Sequence, residues 1–303
     1  MQNTLIVITG PTGIGKTKVA IELAKHFNSE IISADSRQIF RELSIGTAVP
    51  DSQELHTVKH HFVHSHSIHK YYNASKFEIE VLSTLEQLFE KHKIAIMAGG
   101  SMLYIDAVCN GIDELPLIDP EIRQQVISRY EKDGLENLRL ELKKIDPEYY
   151  ALVDLKNHKR ILHALEVFYM TGKKYSSFRT QTKKKRDFKI IKIGLNTDRE
   201  ILHRRINQRV DKMIVQGLLD EAKSVYQYKH LNTLNTVGYR ELFSHFDGEI
   251  SLDEAIELIK RNSRRYARKQ LTWYRKDKDV NWFEPQETNK IIDFLKKHLR
   301  FEK

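Results

Sequence analysis

The chain has 303 residues, with 50 Lys and Arg against 41 Asp and Glu and a net charge of +9. Such an excess of positive charge is typical of proteins that bind an anionic partner. The single cysteine, Cys109, excludes a disulfide within the chain, and no apolar run approaches the roughly 18 residues that cross a bilayer. The uncharged opening residues show no signal-peptide pattern, so we expect a cytoplasmic protein without membrane contact.

The first element along the chain is an apolar strand pattern that leads into a glycine-rich turn. The apolar run 5–8 is followed by GPTGIGKT at residues 10–17 and by a helix pattern over 16–27. The turn matches G-x-x-x-x-G-K-[ST], in which backbone N–H groups, a lysine and a hydroxyl bind a diphosphate beside Mg²⁺. It therefore predicts a phosphate site, although an ordinary glycine-rich turn between strand and helix has the same spacing. The turn alone does not identify the ligand.

Short apolar runs alternate with amphipathic stretches along the chain, which is typical of a parallel α/β sheet. Strands are predicted over residues 4–9, 30–34, 94–98, 189–195 and 280–283. Residues 113–187 contain only helix patterns, which begin near Asp, Asn or Pro. We therefore predict an α/β protein with a P-loop nucleotide-kinase-like core (residues 1–112 and 188–303) and an all-helical insertion domain (residues 113–187).

Two further predicted strands lead into polar residues. Asp35 follows the strand 30–34, and Ser101 follows the strand 94–98 after two glycines. Ligands of open parallel sheets bind beyond the carboxyl ends of the strands, so we expect both residues beside the phosphate turn. Taken singly, Asp35 could cap a turn and Ser101 could begin a helix. No acid follows 94–98, where many P-loop NTPases carry a Mg²⁺-binding carboxylate, and this weighs against an ATPase.

The last long helix pattern is strongly basic. Nine Lys or Arg lie between Lys260 and Lys278. Four of them have the spacing of one helix face (Arg261, Arg264, Arg265 and Arg268), and three aromatic residues interleave with them (Tyr266, Trp273 and Tyr274). A solvated face has the same pattern, but its density favours a track for backbone phosphates. The run 183–186 is a second candidate track.

Two other features need an interpretation. Residues 56–69 contain six histidines, a residue type that ligates zinc at i, i+4 spacing. The run holds no cysteine and few carboxylates, so we interpret it as a substrate-facing loop whose histidines meet phosphates. Cys109 occupies an apolar helix position and is predicted to be a buried, unreactive thiol.

The sequence as a whole resembles the bacterial tRNA dimethylallyltransferases, also called tRNA isopentenyltransferases. The resemblance is carried by GPTGIGKT (10–17), ADSRQIF (34–40), IGTAVP (45–50), GGSMLY (99–104), KRILHALEVF (159–168), TVGYRE (236–241) and RRYARKQLTWYRK (264–276). It implies transfer of a dimethylallyl group from dimethylallyl diphosphate to N6 of the adenosine 3′-adjacent to the anticodon (position 37) in tRNA, with release of diphosphate. The glycine-rich turn would then hold a prenyl diphosphate with Mg²⁺, rather than ATP.

The resemblance also implies roles for individual residues. Asp35 would accept the N6 proton, and Ser101 would orient the amine. The cationic side chains of Lys16, Arg123 and Arg209 would stabilise the leaving diphosphate, although from the sequence alone both arginines are also ordinary helix residues. The diphosphate would lie on Gly10, Pro11, Thr12, Gly13, Ile14, Gly15, Lys16 and Thr17, with Thr17 as a Mg²⁺ ligand. The anticodon stem-loop would contact Asp35, Ser36, Arg37, Gln38, Ser101, Arg123, Lys159, Arg160, Ile161, Leu162, His163, Thr236, Val237, Gly238, Tyr239 and Arg240.

Three positions depart from the common family pattern. The family commonly has Tyr at Phe40, Lys at Val49 and Thr at Ser101, and of these Ser101 retains the hydroxyl. Two other classes of protein remain open on the residues alone. One is a nucleoside or nucleotide kinase with an inserted lid, and the other is a non-catalytic RNA-binding module that uses the P-loop as a switch. We expect the protein to act as a monomer.

Overall fold

The computed structural model of the chain describes residues 2–113, 115–116, 118–179 and 183–300. The chain forms two compact units. The first consists of Met1–Asn110 and Lys185–Lys303, and the second of Gly111–Lys184. Within the described ranges, no helix combines the length and the apolar character that crossing a membrane requires.

The first unit is built on a six-stranded sheet in which every pairing is parallel. The strands are β1 (Thr4–Thr9), β2 (Ile31–Ala34), β3 (His60–His61), β4 (Ile94–Gly99), β5 (Lys189–Leu195) and β6 (Val280–Phe283). Their order across the sheet is β3-β2-β4-β1-β5-β6. The parallel sheet confirms the predicted α/β class, and five strands lie at the predicted positions. The short edge strand β3 was not predicted.

Thirteen α-helices occur among the described residues. They are α1 (Lys16–Phe27), α2 (Ser52–Thr57), α3 (Ala74–Lys91), α4 (Met102–Asn110), α5 (Pro120–Ile145), α6 (Pro147–Leu152), α7 (His158–Thr171), α8 (Tyr175–Phe178), α9 (Arg199–Val215), α10 (Leu218–Val225), α11 (Tyr239–Phe246), α12 (Leu252–Tyr274) and α13 (Thr288–Arg300). Short 3₁₀ helices span Tyr226–Tyr228 and Asn232–Leu234.

Helices cover both faces of the sheet because its strands are apolar on both faces, as parallel strands usually are. In β1, Ile6 and Ile8 pack into one cluster, which includes residues of α1, α9 and α13. Leu5 and Val7 pack into the opposite cluster with α3 and α4. A third core of the first unit joins residues 39–43 to helices α9 to α12.

The register of the sheet aligns the carboxyl ends of three strands, β2, β4 and β1. Ala34 of β2 pairs with Gly99 of β4, and Ile8 of β1 pairs with Ala98. The loops that follow these strands therefore leave the sheet at one edge. Gly10 turns away at this edge with φ 147°, and a Cβ there would lie 2.6 Å from the carbonyl oxygen of Leu195. Only glycine allows the P-loop to pass so close to β5.

The second unit contains only helices among its described elements, α5 to α8. α5 is interrupted at Gly134, whose φ of 75° and ψ of 171° lie outside the helical region. The two segments on either side agree with the separate helix patterns in the sequence. The apolar faces of α5 and α7 meet in a core that includes Leu138, Leu142 and Leu165, each 1% exposed or less.

Candidate active site

The P-loop connects β1 to α1, and its lysine is directed over the turn. Lys16 Nζ donates hydrogen bonds to the carbonyl oxygens of Gly10 (3.0 Å) and Pro11 (2.9 Å). Burial and, to a smaller extent, the positive charge of Arg209 lower the pKa of Lys16, the charge of Asp35 partly opposes them, and the net value is about 7. An anion bound in the turn would offset the same charge repulsion. The arrangement is therefore electrostatically prepared for an anionic ligand.

Helix α9 supplies two arginines to the P-loop. Arg209 Nη1 donates to Thr12 Oγ1 at 3.3 Å, and Arg205 Nη1 donates to the carbonyl oxygen of Ile14 at 3.2 Å. Burial lowers the pKa of the Arg209 guanidinium, and the negative charge of Asp35 opposes that change. Arg209 thus lies beside the phosphate turn. Arg205 was not identified as a site residue from the sequence, although its i, i+4 spacing from Arg209 places both on one helix face.

Asp35 and Ser101 lie at the same edge of the sheet as the P-loop. One carboxylate oxygen of Asp35 accepts from the backbone N–H of Arg37 (2.9 Å) and of Gln38 (3.4 Å), so Asp35 does cap a turn. The Ser101 hydroxyl oxygen accepts from the N–H of Ser36 at 2.8 Å. Besides accepting this bond, the Ser101 hydroxyl has one proton of its own that it can donate. The turn-capping interpretation of Asp35 and its position in the site are compatible.

Two cavities of the first unit meet at this edge, with volumes of about 320 and about 1050 Å³. Both are lined by Thr12, Asp35, Arg209, Met213 and Tyr266. The smaller cavity also contains Ser101, whereas the larger contains Lys16 and Thr17. Asp35 and Arg209 therefore lie at the junction between the cavity that contains the P-loop residues Lys16 and Thr17 and the cavity that contains Ser101.

The smaller cavity has an apolar wall opposite its polar groups. Ile206, Val210, Met213 and Leu218 line it from α9 and α10. Tyr266 borders the same space, and burial together with the charge of Asp35 raises the pKa of its hydroxyl to about 12, so the ring stays neutral. Apolar surface next to a phosphate site fits a ligand that joins a diphosphate to a hydrocarbon chain.

The predicted RNA segments of the first unit fall largely on the smaller cavity. It is lined by Ser36, Arg37, Thr236, Val237, Gly238 and Arg240. Gln38 instead lines the larger cavity, and its amide donates to the carbonyl oxygens of Thr47 (3.2 Å) and Ala48 (2.9 Å). Tyr239 is fully buried. The side chains of Gln38 and Tyr239 therefore support neighbouring loops in this structure.

Glu221 of α10 ties two of these loops together. Its carboxylate accepts from the backbone N–H groups of Ser44, Ile45 and Gly46, each at 2.8 Å. It also accepts from the hydroxyl of Tyr239 at 2.6 Å. The loop 44–46 and the segment 236–240 both border the smaller or the larger cavity, so Glu221 shapes the walls of the site. Nothing in the local sequence distinguished Glu221 from other acidic helix residues.

The remaining predicted site residues belong to the second unit. Arg123 lies on α5, and residues 159–163 lie on α7. Glu166, only 5% exposed, holds two of them: Arg123 Nε is 3.4 Å and His163 Nδ1 3.1 Å from its carboxylate. Burial alone would raise the pKa of Glu166, but the hydrogen bond from His163 and the charge of Arg123 hold it below the usual value. Ile161 and Leu162 are buried in the core of this unit, and Lys159 and Arg160 are exposed.

The arginines of α12 line a third cavity of the first unit, with a volume of about 440 Å³. Its cationic lining consists of Arg199, Arg261, Arg264, Arg265, Arg268 and Arg275, and we call it the arginine groove. In the part of the chain that the structure describes, none of the six forms an ion pair with a carboxylate. Burial lowers the pKa of His203 in the groove, and the charges of Arg199 and Arg264 lower it further. The groove is therefore electropositive without compensation.

Some side chains that the sequence suggested as RNA contacts instead form contacts within the protein. Tyr274 is 3% exposed and packs in the core, unlike Trp273, whose indole N–H donates to Asp106 Oδ2 at 3.0 Å. Arg186, in the basic run 183–186, has a side chain that is 9% exposed and donates to Glu78 (2.7 Å) and to the carbonyl oxygen of Ala107 (2.8 Å). Arg186 thus stabilises the end of α4, and the proposed second phosphate track loses its arginine.

The histidine run is dispersed over separate partners. His61 lies 2.6 Å from Glu30, and His64 lies 3.1 Å from the Ser44 hydroxyl. Over the described ranges, no group of three or more His, Cys, Asp or Glu side chains is placed to hold a metal ion. Cys109 is buried, as predicted, and burial raises the pKa of its thiol to about 12, which disfavours the reactive thiolate.

Comparisons with known proteins identify the family. Residues 38–277 match the model of a family described as IPP transferase. The chain is 53% identical to tRNA dimethylallyltransferase 1 of Bacteroides fragilis over 98% of this chain and 99% of that protein. It is 57% identical to tRNA dimethylallyltransferase 2 of Azobacteroides pseudotrichonymphae over 96% of this chain and 97% of that protein.

Solved structures agree with these relatives. The tRNA isopentenylpyrophosphate transferase of Bacillus halodurans superposes with a TM-score of 0.72 at 33% identity, covering 98% of this chain and 96% of that one. A eukaryotic dimethylallyltransferase acting on tRNA superposes with a TM-score of 0.77 at 27% identity, covering 93% and 74%. The P-loop kinase-like fold predicted for the core is thereby confirmed. The chain is a transferase and belongs to the tRNA dimethylallyltransferase family, as its motifs predicted.

Proposed function

We propose that the protein transfers a dimethylallyl group from dimethylallyl diphosphate to N6 of the adenosine 3′-adjacent to the anticodon in tRNA. The observation that carries this proposal is the junction of two cavities at Asp35. Phosphate-binding groups line one cavity, and Ser101 with an apolar wall lines the other. A transferase needs such a junction, because the donor and the acceptor must meet at one carbon. Membership of the family supports the same chemistry.

The donor would bind with its diphosphate on the P-loop. The backbone N–H groups of the turn, the ammonium group of Lys16 and the guanidinium group of Arg209 supply positive charge there. As the allylic C–O bond breaks, negative charge grows on the leaving diphosphate, and these groups stabilise it. We also propose a diphosphate contact for Arg123, which Glu166 orients within the second unit.

The acceptor adenine would enter the smaller cavity after flipping out of the anticodon loop. Its amine is a weak nucleophile, because the nitrogen lone pair is delocalised into the ring. The N6–C bond forms as the C–O bond breaks, the diphosphate leaves with the bonding electrons, and the N6 proton passes to the Asp35 carboxylate. The Ser101 hydroxyl can donate its own proton to orient the base.

The P-loop side chains fit a Mg²⁺ ion bound together with the substrate. Thr17 and Asp35 line the same cavity as Lys16. Mg²⁺ is usually held by one or two protein oxygens together with substrate phosphates, so a larger cluster of protein ligands is not required. Thr17 would hold the ion, and bound Mg²⁺ would neutralise charge on the leaving diphosphate.

The body of the tRNA needs a wider basic surface. We propose that the arginine groove contacts its backbone phosphates, because six arginines there repel one another without a described carboxylate partner. We further propose that the helical insertion (113–187) contacts the anticodon stem-loop through Lys159, Arg160 and His163, with residues 1–112 and 188–303 as the catalytic core. Ile161 and Leu162 would support these residues from the core of α7. The protein would act in the cytoplasm as a monomer.

A transfer assay tests the proposal against its rivals. The protein is incubated with radiolabelled dimethylallyl diphosphate, Mg²⁺ and unmodified tRNA, and the tRNA is digested to nucleosides. We expect label on N6 of the adenosine next to the anticodon, and none in a tRNA with guanosine at that position. Phosphorylation of a nucleoside from labelled ATP would instead support a kinase. Binding of tRNA without transfer of label would support a non-catalytic RNA-binding module.

A further inference from the structure

Gln270 of α12 is the residue whose contacts call for a separate explanation. It is 1% exposed, although it lies on the helix that carries the exposed arginines. Its side-chain carbonyl accepts from the backbone N–H of Thr12 at 2.9 Å, and its amide nitrogen donates to the carbonyl oxygen of Gly100 at 2.8 Å. The oxygen and the nitrogen of one buried side-chain amide are thus hydrogen-bonded to two different loops.

These two loops carry the two halves of the site. Thr12 belongs to the P-loop, and Gly100 precedes Ser101. Backbone pairing between their strands ends at Ile8 and Ala98, so the sheet does not set the spacing beyond that point. Gln270 bridges this gap, and a Cβ on Gly100 would lie 2.4 Å from the Gln270 amide nitrogen. The glycine is what lets the bridge form at this distance.

The bridge extends into a continuous series of hydrogen bonds. Thr12 accepts from Arg209 through its hydroxyl, and Ser101 accepts from the N–H of Ser36, next to Asp35. Gln270 is the member that joins the diphosphate side to the acceptor side. The Thr12 N–H is thus engaged by the Gln270 carbonyl, and Gln270 lines the larger cavity together with Lys16.

We propose that Gln270 is a positioning residue that sets the distance between the leaving diphosphate and the acceptor amine. The inference rests on the proposed function, because it assigns the two loops to donor and acceptor. Loss of the bridge leaves the diphosphate contacts of Lys16 and Arg209 in place. It lets the two loops separate, and displacement of reacting groups by about 1 Å can cost about 10²-fold in rate.

Two substitutions separate positioning from simple loss of stability. Gln270→Met keeps the length of the side chain but leaves the Thr12 N–H and the Gly100 carbonyl unpaired. Gln270→Glu keeps an acceptor for Thr12, and only its protonated form can donate to Gly100. Burial raises the pKa of a Glu above its ordinary value of about 4.3, in documented cases to as high as about 8–9, whereas the ammonium group of Lys16, which lines the same cavity, lowers it. Below the resulting pKa the side chain is protonated and can donate. Acidification should therefore restore the bridge in this variant.

The matched control is Ser29→Ala, which lies just before β2, at the end of the sheet opposite to the site. The Ser29 hydroxyl is also buried and donates to the carbonyl oxygen of Ile94 at 2.7 Å. This substitution removes one buried hydrogen bond of the first unit without touching the site. We expect Ser29→Ala to lower the thermal stability. Its transfer rate should stay within about threefold of wild type, because Ser29 has no role in transfer.

The experiment measures single-turnover transfer to tRNA, affinity for dimethylallyl diphosphate and hydrogen exchange. We expect Gln270→Met to lower the rate by roughly 10- to 100-fold with diphosphate affinity changed less than about threefold. Amide exchange should accelerate in peptides that contain Thr12. The ratio of the Gln270→Glu transfer rate to the wild-type rate should rise as the pH falls. Taking this ratio cancels the effects of pH that are common to both proteins.

The outcomes that overturn the inference are specific. A Gln270→Met rate within about threefold of wild type removes Gln270 from positioning, and a parallel loss of diphosphate affinity assigns it to binding instead. A Gln270→Glu ratio that does not change with pH contradicts the restored bridge. If the wild-type protein transfers no prenyl group, the proposed function has failed, whereas normal transfer by wild type and both variants refutes only the role of Gln270.

Discussion

At the scale of single residues, Asp35 caps a turn and is proposed to accept the N6 proton, and one substitution separates the two roles. Asp35→Asn keeps an oxygen that can accept from the N–H of Arg37, so the turn should persist. It removes the carboxylate that we propose as the acceptor of the N6 proton. We expect a loss of roughly 10²–10⁴-fold in single-turnover rate, with near-normal diphosphate affinity, because general-base catalysis typically contributes that much. A rate within about threefold of wild type would remove Asp35 from the mechanism, since that lies far below this range.

The lowered pKa of Lys16 predicts a pH dependence for diphosphate binding. With a pKa of about 7 in the free protein, Lys16 loses its proton as the pH rises above neutrality. A bound diphosphate favours the charged form and raises this pKa, so binding takes up a proton. Affinity should fall by up to about tenfold per pH unit above pH 7, where the diphosphate itself is already ionised (pKa about 6).

Calorimetry in buffers of different ionisation enthalpy measures this proton uptake directly. The Lys16→Ala variant serves as the control, and its weaker binding should show no such dependence between about pH 7 and 9, because the titrating group is gone. Equal pH dependence in both proteins would mean that another group titrates.

At the scale of elements, the proposal that the arginine groove binds backbone phosphates makes α12 the expected main electrostatic contact for tRNA. The affinity for tRNA should fall steeply with salt, because phosphate contacts release counterions. Replacing Arg264, Arg265 and Arg268 together with Gln should reduce the slope of log affinity against log salt by about 2–3 units, from about 0.7–0.9 per contact. Fluorescence titration of labelled tRNA at several salt concentrations measures this slope.

A second triple variant controls for net charge. Lys59, Lys229 and Lys290 each form an ion pair, with Glu30, Asp247 and Glu287 respectively. Replacing these lysines with Gln removes the same three charges outside the groove. An equal change of slope in both triple variants would show that total charge, rather than the groove, governs binding.

At the scale of the whole molecule, each unit has its own core and can be perturbed separately. Leu165 is fully buried in the core of the second unit. Leu165→Ala should destabilise that unit by about 2–5 kcal/mol, the usual cost of such a cavity. Transfer to tRNA should fall near the unfolding temperature of the variant, while most diphosphate affinity remains, because the P-loop and Arg209 belong to the first unit.

Leu152 provides the matched control, since it is a leucine of the same unit that is 63% exposed. Leu152→Ala should leave both stability and transfer close to wild type. Circular dichroism during heating and single-turnover assays at the same temperatures make the comparison. Full transfer at a temperature where the Leu165→Ala unit has unfolded would exclude the helical insertion from tRNA binding.

The sequence by itself determined the strands with strong apolar runs, the P-loop, the positions of Asp35 and Ser101, and the helical character of the second unit. These features depend on short-range chemistry. A glycine-rich turn between strand and helix, or a polar residue directly after an apolar run, is visible within about ten residues. The alignment of the strand ends then follows from the general geometry of parallel sheets.

Only the tertiary structure decided which distant side chains complete the site. Gln270 reaches Thr12 across 258 positions, and Glu221 reaches the loop 44–46 across more than 170. The strand β3 consists of two histidines that pair with β2. The local sequence does not predict this pairing. The family resemblance implied a tRNA contact for Tyr239, whose side chain is fully buried in this structure. Such contacts depend on how each helix is rotated against the sheet, and that rotation is set by packing over the whole core.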